Sequence, residues 1–338
     1  GLDHLEDWRT KHRPNGKPFL MYLGFSHPHD ERNARTTPDL VGRYGCINTK
    51  SPGSIRLDRS APPMPVNSLT CTPATFPAHP FDNGHLNVRD EVSVPGVDRY
   101  RTEAVIRNEI GRQLACVDWI DRQLGRVFDK LEDPDGDGDT SDSVLENTYI
   151  VFTSDHGMAI GRHGLQGKQN LYEHTWRVPY IVRGPGIAPG THSDALIYLH
   201  DTFPTFCELA GLDLPPTIDD NDGQSFRNGL KGSSTTHRDS VYGLYSGGSR
   251  PGMRAVTDGR FKLIKYDVGG NATQVTQMFD ILEIPFEFLP DHGVPNLADV
   301  AAYAVIRQEL GELMMQERLE NDGPGAVEGA GTLRRLVD

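Results

Sequence analysis

Asp155 and His156 stand side by side after the apolar run Tyr149-Ile150-Val151-Phe152 and Thr153-Ser154, and Gly157 follows them directly. The run has the length and β-branched content of a buried strand. In α/β sheets, ligands gather at the carboxyl ends of such strands. A carboxylate beside an imidazole can hold a hard or borderline divalent cation there, and the glycine lets the backbone turn away. Taken alone, the dipeptide fits a turn with a helix cap equally well. Its sequel favours the cation. Lys168 follows Asp155 by 13 residues across a glycine-rich loop, and Tyr172-Glu173-His174 and Arg177-Val178-Pro179 come next. A cation pair, a lysine close by and a second strand together suggest a site for an oxyanion ester.

The whole pattern, T-S-D-H-G-x-x-x-G-x-H-G-L-x-x-K-x-x-L-Y-E-H-x-x-R-V-P over residues 153–179, resembles the second half of the sulfatase family. That family belongs to the alkaline-phosphatase-like metal-dependent hydrolases. The resemblance implies an α/β fold, an alkaline-phosphatase-like mixed sheet sandwiched by helices, with a small C-terminal antiparallel sheet-plus-helix subdomain. It also implies hydrolysis of a sulfate monoester on a carbohydrate or aryl alcohol. Ca²⁺ is the implied cation, with Asp155 and His156 supplying half of its protein ligands, and Lys168 is implied to bridge the sulfate and the metal shell. A second stretch, Lys17 to Phe25 followed by Ser26-His27-Pro28-His29-Asp30, also reads as a buried strand. It resembles the family strand that ends in a sulfate-bonding histidine. By its place in that motif, His29 is implied to donate a hydrogen bond to the sulfate or to protonate the leaving alcohol. His27 reads as a local turn contact. His163, together with Arg162, is a further candidate for a positive substrate-binding pocket.

Sulfatases resembling this chain also carry a Cys-x-Pro-Ser-Arg motif, whose cysteine becomes the formylglycine nucleophile, an early Asp-Asp pair and a Lys-x-His. None of these occurs in the 338 residues. Cys71-Thr72-Pro73-Ala74-Thr75 has threonine where the motif has arginine, and it follows the His29 strand instead of preceding it. It reads as a coincidence. The sequence is therefore expected to be the C-terminal part of a sulfatase, with formylglycine in an N-terminal segment outside it and little or no turnover by itself. Two other readings stay open. A superfamily relative would act on phosphate or phosphonate esters through a serine or threonine nucleophile, and a non-catalytic remnant would bind sulfated glycans without hydrolysing them.

Composition narrows the partners. With 47 acidic residues against 34 Lys and Arg, the formal net charge is −13. That argues against nucleic acid, which selects a basic stripe. The expected partner, a sulfated small molecule or saccharide, is itself an anion, so positive charge must be concentrated locally. No run of about 18 apolar residues exists, so no membrane span is expected. By resemblance the protein is exported, to the periplasm or the exterior. Cys46, Cys71, Cys116 and Cys207 show neither disulfide nor zinc spacing and read mostly as buried thiols.

The remaining elements must position these groups. Trp8 is the only large anchor of residues 1–17, and the proline-punctuated stretch 31–100 reads as an irregular excursion assigned to substrate recognition. Residues 101–132 have helical spacing, with Ile106, Ile110, Leu114, Val117, Leu124, Phe128 and Leu131 expected on one face against the sheet. The acidic stretch Asp133–Asp142 resembles the start of an EF-hand loop, but Val144 holds the place of the closing glutamate, so it reads as a solvated turn. A strand is expected at Val178–Val182 and a helix after Asp201 as its N-cap, stopped by Gly211. Asp258-Gly259-Arg260 signals a hairpin, Gln277–Ile281 a strand and residues 297–319 a closing helix. Two units are expected, a core at 1–235 and a smaller α+β unit at 236–338.

Overall fold

The computed structural model describes residues 1–29, 38–47, 52–70, 101–215, 223–232, 236–245, 252–268 and 273–321. Asp30, Cys71 and much of the proline-rich stretch lie outside the described residues. In chain order the elements are α1 (Leu2–Asp7), α2 (Pro38–Arg43), α3 (Glu103–Glu132), β1 (Ile150–Thr153), α4 (Glu173–Trp176) and β2 (Tyr180–Arg183). They continue with α5 (Thr202–Ala210), α6 (Arg227–Leu230), β3 (Val241–Tyr245), β4 (Met253–Thr257), β5 (Phe261–Val268), β6 (Thr273–Asp280) and α7 (Ala304–Asn321).

The C-terminal sheet, ordered β3-β4-β5-β6 and antiparallel throughout, is the best-packed part. Its central strands β4 and β5 are covered on both faces. Alternation sends Met253, Ala255, Ile264, Tyr266 and Phe279 to one side, where they meet Ala159, Leu165, Leu171 and Tyr172 of the motif loop. Val256, Leu263 and Met278 point the other way, onto Leu310 and Met314 of α7. Each such side chain contributes about 1.5–3 kcal/mol by burial. The loop carrying the candidate chemistry is thus clamped to a sheet more than 80 residues downstream. The expected hairpin joins β4 to β5: Gly259 takes φ +92°, and the Asp258 carboxylate accepts from the N–H groups of Arg260 and Phe261.

Helix α3 forms where expected, with Thr102 as N-cap accepting from the Val105 N–H at 3.3 Å. Of the expected face, Ile106 and Leu131 are buried, but the other inward positions differ. Val105, Asn108, Glu109, Arg112, Cys116 and Ile120 are inside, whereas Leu114 and Val117 are exposed. Among the described residues the helix packs chiefly on α1, α2 and the 3-10 turn at Leu145–Asn147. Polar groups face inward because the chain at 46–47 needs them: Asn108 accepts from the Ile47 N–H and donates to the Ile47 carbonyl.

Three other expectations are corrected. Residues 17–25 are extended but pair with no strand among the described residues. Their alternation is real, since Phe19 packs edge-on against Trp8 and Phe25 against Trp119, yet Leu20 and Tyr22 are 81% and 92% exposed. Strand β1 pairs antiparallel with β2, from Ile150↔Arg183 to Thr153↔Tyr180, and leaves Phe152 and Ile181 exposed instead of buried. Asp201 stands at the N-cap of α5 as expected, but its carboxylate makes no cap bond to that helix. Fully buried, it accepts from the Tyr198 and Gln224 N–H groups and from Arg238. Gly211 does end that helix, at φ +69°. Cys46 and Cys116 are buried thiols and Cys207 is half-buried. Among the described residues, no helix is long and apolar enough to cross a membrane.

Candidate functional site

Strand β1 delivers Asp155 and His156 to a turn built on Gly157, whose N–H donates to the Thr175 carbonyl at 2.8 Å. A Cβ at this glycine would lie 2.1 Å from the His174 carbonyl oxygen, so no other residue fits without moving the chain. Ser154 Oγ donates to the His156 carbonyl, and the His156 N–H donates to Asp155 Oδ1. His156 Nδ1 lies 3.0 Å from the Gly157 carbonyl, which assigns the ring proton to Nδ1 and leaves Nε2 as an acceptor. That Nε2 is 3.3 Å from Asp155 Oδ2. Two donors at right angles on an ion roughly 2.4 Å away are about 3.4 Å apart, so the pair has the bite of two neighbouring ligands of one divalent cation. The Asp155 side chain is 81% exposed and open to such an ion.

Lys168 ends a compact loop. Backbone N–H groups of Ala159, Ile160 and Gly161 donate to the carbonyls of Gly167, Gln166 and Leu165, and Ala159, Ile160 and Leu165 are buried. From this rigid base, Lys168 Nζ donates to His29 Nε2 at 3.0 Å. The two residues are 139 apart in sequence. His29 is exposed and Lys168 half-buried, so both can reach a solvent-borne ligand. His27 is elsewhere, packed on Trp119 at 5.4 Å between ring centroids.

His163 is placed differently from expectation. It is 1% exposed, at φ +54°, and its ring stacks on Tyr172 at 4.3 Å, so it supports the loop instead of lining a substrate surface. Asn67 holds it there. The Asn67 amide donates to His163 Nε2 at 3.2 Å and to the Phe286 carbonyl at 2.8 Å, while the His163 N–H donates to the Asn67 carbonyl. The irregular segment at 65–69 thereby ties the motif loop to the C-terminal region. No sequence signal marked Asn67, because an asparagine in a loop looks like any turn residue.

Two groups of residues have metal-ligand spacing by proximity. His163, His174 and Glu287 bring ligand atoms within 4.8 Å of one another. Asn67 uses the Nε2 lone pair of His163, and the Glu287 carboxylate accepts from the Glu173 N–H at 2.6 Å and pairs with Lys262 at 2.9 Å. Burial pushes Glu287 up to about 7, against the pull of Lys262. This is a structural network. Asp133, Asp135 and Asp142 also converge. Asp133 accepts from the Gly136 and Gly138 N–H groups, and Asp142 pairs with Arg13 at 3.1 Å, which matches a solvated acidic turn.

Residues 2–212 match the family described as Sulfatase, and residues 161–320 match N-sulphoglucosamine sulphohydrolase, C-terminal. The chain belongs to the sulfatase family. It is 29% identical to a choline-sulfatase of Rhizobium meliloti over 273 residues, covering 80% of this chain and 46% of that protein. A structure solved in complex with its substrate D-glucosamine-2-N,6-O-disulfate is 28% identical with a TM-score of 0.55, covering 66% of this chain and 43% of that one. A 2-O GAG sulfatase aligns over 94% of this chain and 62% of its own at 20% identity and a TM-score of 0.67, which shows the shared fold. The chain spans less than half the length of the curated relatives it matches.

Proposed function

We propose that the chain contributes the cation-holding and sulfate-holding residues of a sulfuric ester hydrolase acting on a sulfated carbohydrate. The observation that carries this reading is the meeting of Lys168 and His29 at 3.0 Å across 139 residues of sequence. The carbohydrate class is supported by the disulfated glucosamine bound to a structural neighbour. Asp155 and His156 would hold the divalent cation, expected to be Ca²⁺, which as a Lewis acid neutralises charge on sulfuryl oxygens. Lys168 would bind a sulfate oxygen as a fixed ammonium donor, oriented by the rigid loop beneath it. His29 would donate to the same group or pass a proton to the leaving alcohol oxygen. Formylglycine, the family's nucleophile, has no matching motif in this sequence, so binding is the proper readout for this chain. Export to the periplasm or exterior accompanies this reading.

The test is a Ca²⁺ titration followed by NMR of the histidine side chains. With only two protein ligands identified, saturation is expected in the range of about 10⁻⁴–10⁻³ M or weaker. The His156 ring resonance should shift, and Asp155→Asn should abolish the shift. An unmoved His156 resonance at saturating Ca²⁺ removes the metal assignment.

A further inference from the structure

A cavity of about 380 Å³ opens beside the cation loop. Gly157 and Met158 form part of its wall, while His29, Asp155, His156 and Lys168 do not line it. Arg162, Arg177 and Gln113 bring polar groups to the rest. Arg162 is the telling group. It is half-buried, and burial pulls its pKa down from the ordinary arginine value. Its guanidinium donates to the Ala159 carbonyl at 3.0 Å and meets no carboxylate among the described residues. Arg177 is 77% exposed and stands 4.0 Å from Glu173. The wall carboxylates Glu173 and Glu287 share Lys262, at 2.9 Å each. Arg162 and Arg177 thus line the cavity beside two carboxylates whose charge Lys262, buried behind the wall, offsets, in a protein whose net charge is −13.

Burying a guanidinium without a counter-charge is costly, and the cost falls when an anion enters. The planar fork matches sulfate and carboxylate oxygens in bidentate geometry. The cavity volume falls within the range that takes small ligands. We propose that this cavity is a subsite for a second oxyanion, sulfate or carboxylate, on a saccharide whose scissile sulfate lies at Lys168 and His29. Arg162 is its main contact and Arg177 guards its mouth. This rests on the sulfate-ester reading above.

The experiment measures affinities of the chain, in Ca²⁺, for glucosamine 6-sulfate, for glucosamine 2-N,6-O-disulfate and for a 6-sulfated disaccharide carrying a uronate. At least one doubly charged probe should bind about tenfold or more tighter than the monosulfate. Arg162→Gln should erase that gain. Arg177→Gln, a change at a 77% exposed side chain, should reduce the gain about twofold to fivefold. A gain with the disulfate identifies sulfate as the second group, and a gain with the uronate identifies carboxylate. Equal affinity for all three probes, or a gain that survives both substitutions, overturns the subsite. Monosulfate binding that is indifferent to Lys168→Ala overturns the ester reading instead, whatever the arginine variants do.

Discussion

Replacing Glu287 by glutamine should flatten the response of stability to pH. Glu287 is 1% exposed and held by Lys262 and by the Glu173 N–H. Burial raises its carboxyl from 4.5 to about 7. The folded chain therefore holds this proton more tightly than the unfolded chain. The resulting stabilisation is complete below the unfolded value near 4.5 and is lost as pH rises through about 7. For those two values, the loss between pH 5 and pH 8 is on the order of 2–3 kcal/mol. Glutamine keeps the acceptor oxygen and the shape but cannot ionise. Urea unfolding of the parent and of Glu287→Gln at both pH values isolates the effect, because every other titrating group is common to the two proteins. The parent should lose on the order of 2–3 kcal/mol more than the variant on going to pH 8. Parallel pH responses would refute the reasoning and place the Glu287 proton in solution-like equilibrium.

Lys262→Met removes the cation between two carboxylates at a fully buried position. It should cost about 3–5 kcal/mol, more at pH 8 than at pH 5, by denaturant midpoint. Gly157→Ala places a Cβ 2.1 Å from the His174 carbonyl oxygen and should cost on the order of 1–3 kcal/mol. It should also abolish the Ca²⁺-dependent shift of the His156 resonance, since the turn that sets the Asp155–His156 bite must move. Asn67→Ala strips a donor from both His163 Nε2 and the Phe286 carbonyl. A loss of about 1–3 kcal/mol is expected, with faster amide exchange at residues 161–165.

Local chemistry was legible in the sequence where it is written in consecutive residues. Residues 153–179 set Asp155, His156 and Lys168 in one motif that the structure folds as one loop, and the turn at Asp258-Gly259-Arg260 forms the expected hairpin, because each depends on neighbours in the chain. Long-range choices were less legible. Lys262 sits among apolar residues of β5, where alternation turns it inward with Ile264 and Tyr266. Only the arrival of Glu173 and Glu287 makes that placement tolerable, and no local pattern records it. The same holds for α3, whose inward Asn108, Glu109 and Arg112 displaced the apolar stripe the spacing suggested. His163 looked like a ligand because it stands in the motif, but the stack with Tyr172 and the bond from Asn67 use it as a support. Burial of the strand-like runs was over-read for a simpler reason. Apolar content sets a tendency to be covered, and Leu20, Tyr22, Phe152 and Ile181 are uncovered among the described residues.

Lys168 and His29 are proposed to form one sulfate-holding pair. The most direct test titrates glucosamine 6-sulfate into the chain in the presence of Ca²⁺, alongside Lys168→Ala and His29→Ala. Both side chains are accessible to solvent, so neither change should alter the unfolding free energy by more than about 0.5 kcal/mol. The account predicts that each variant binds the sulfated sugar about tenfold or more weakly, and that the double variant loses little beyond either single one. Unchanged affinity in both single variants would contradict it.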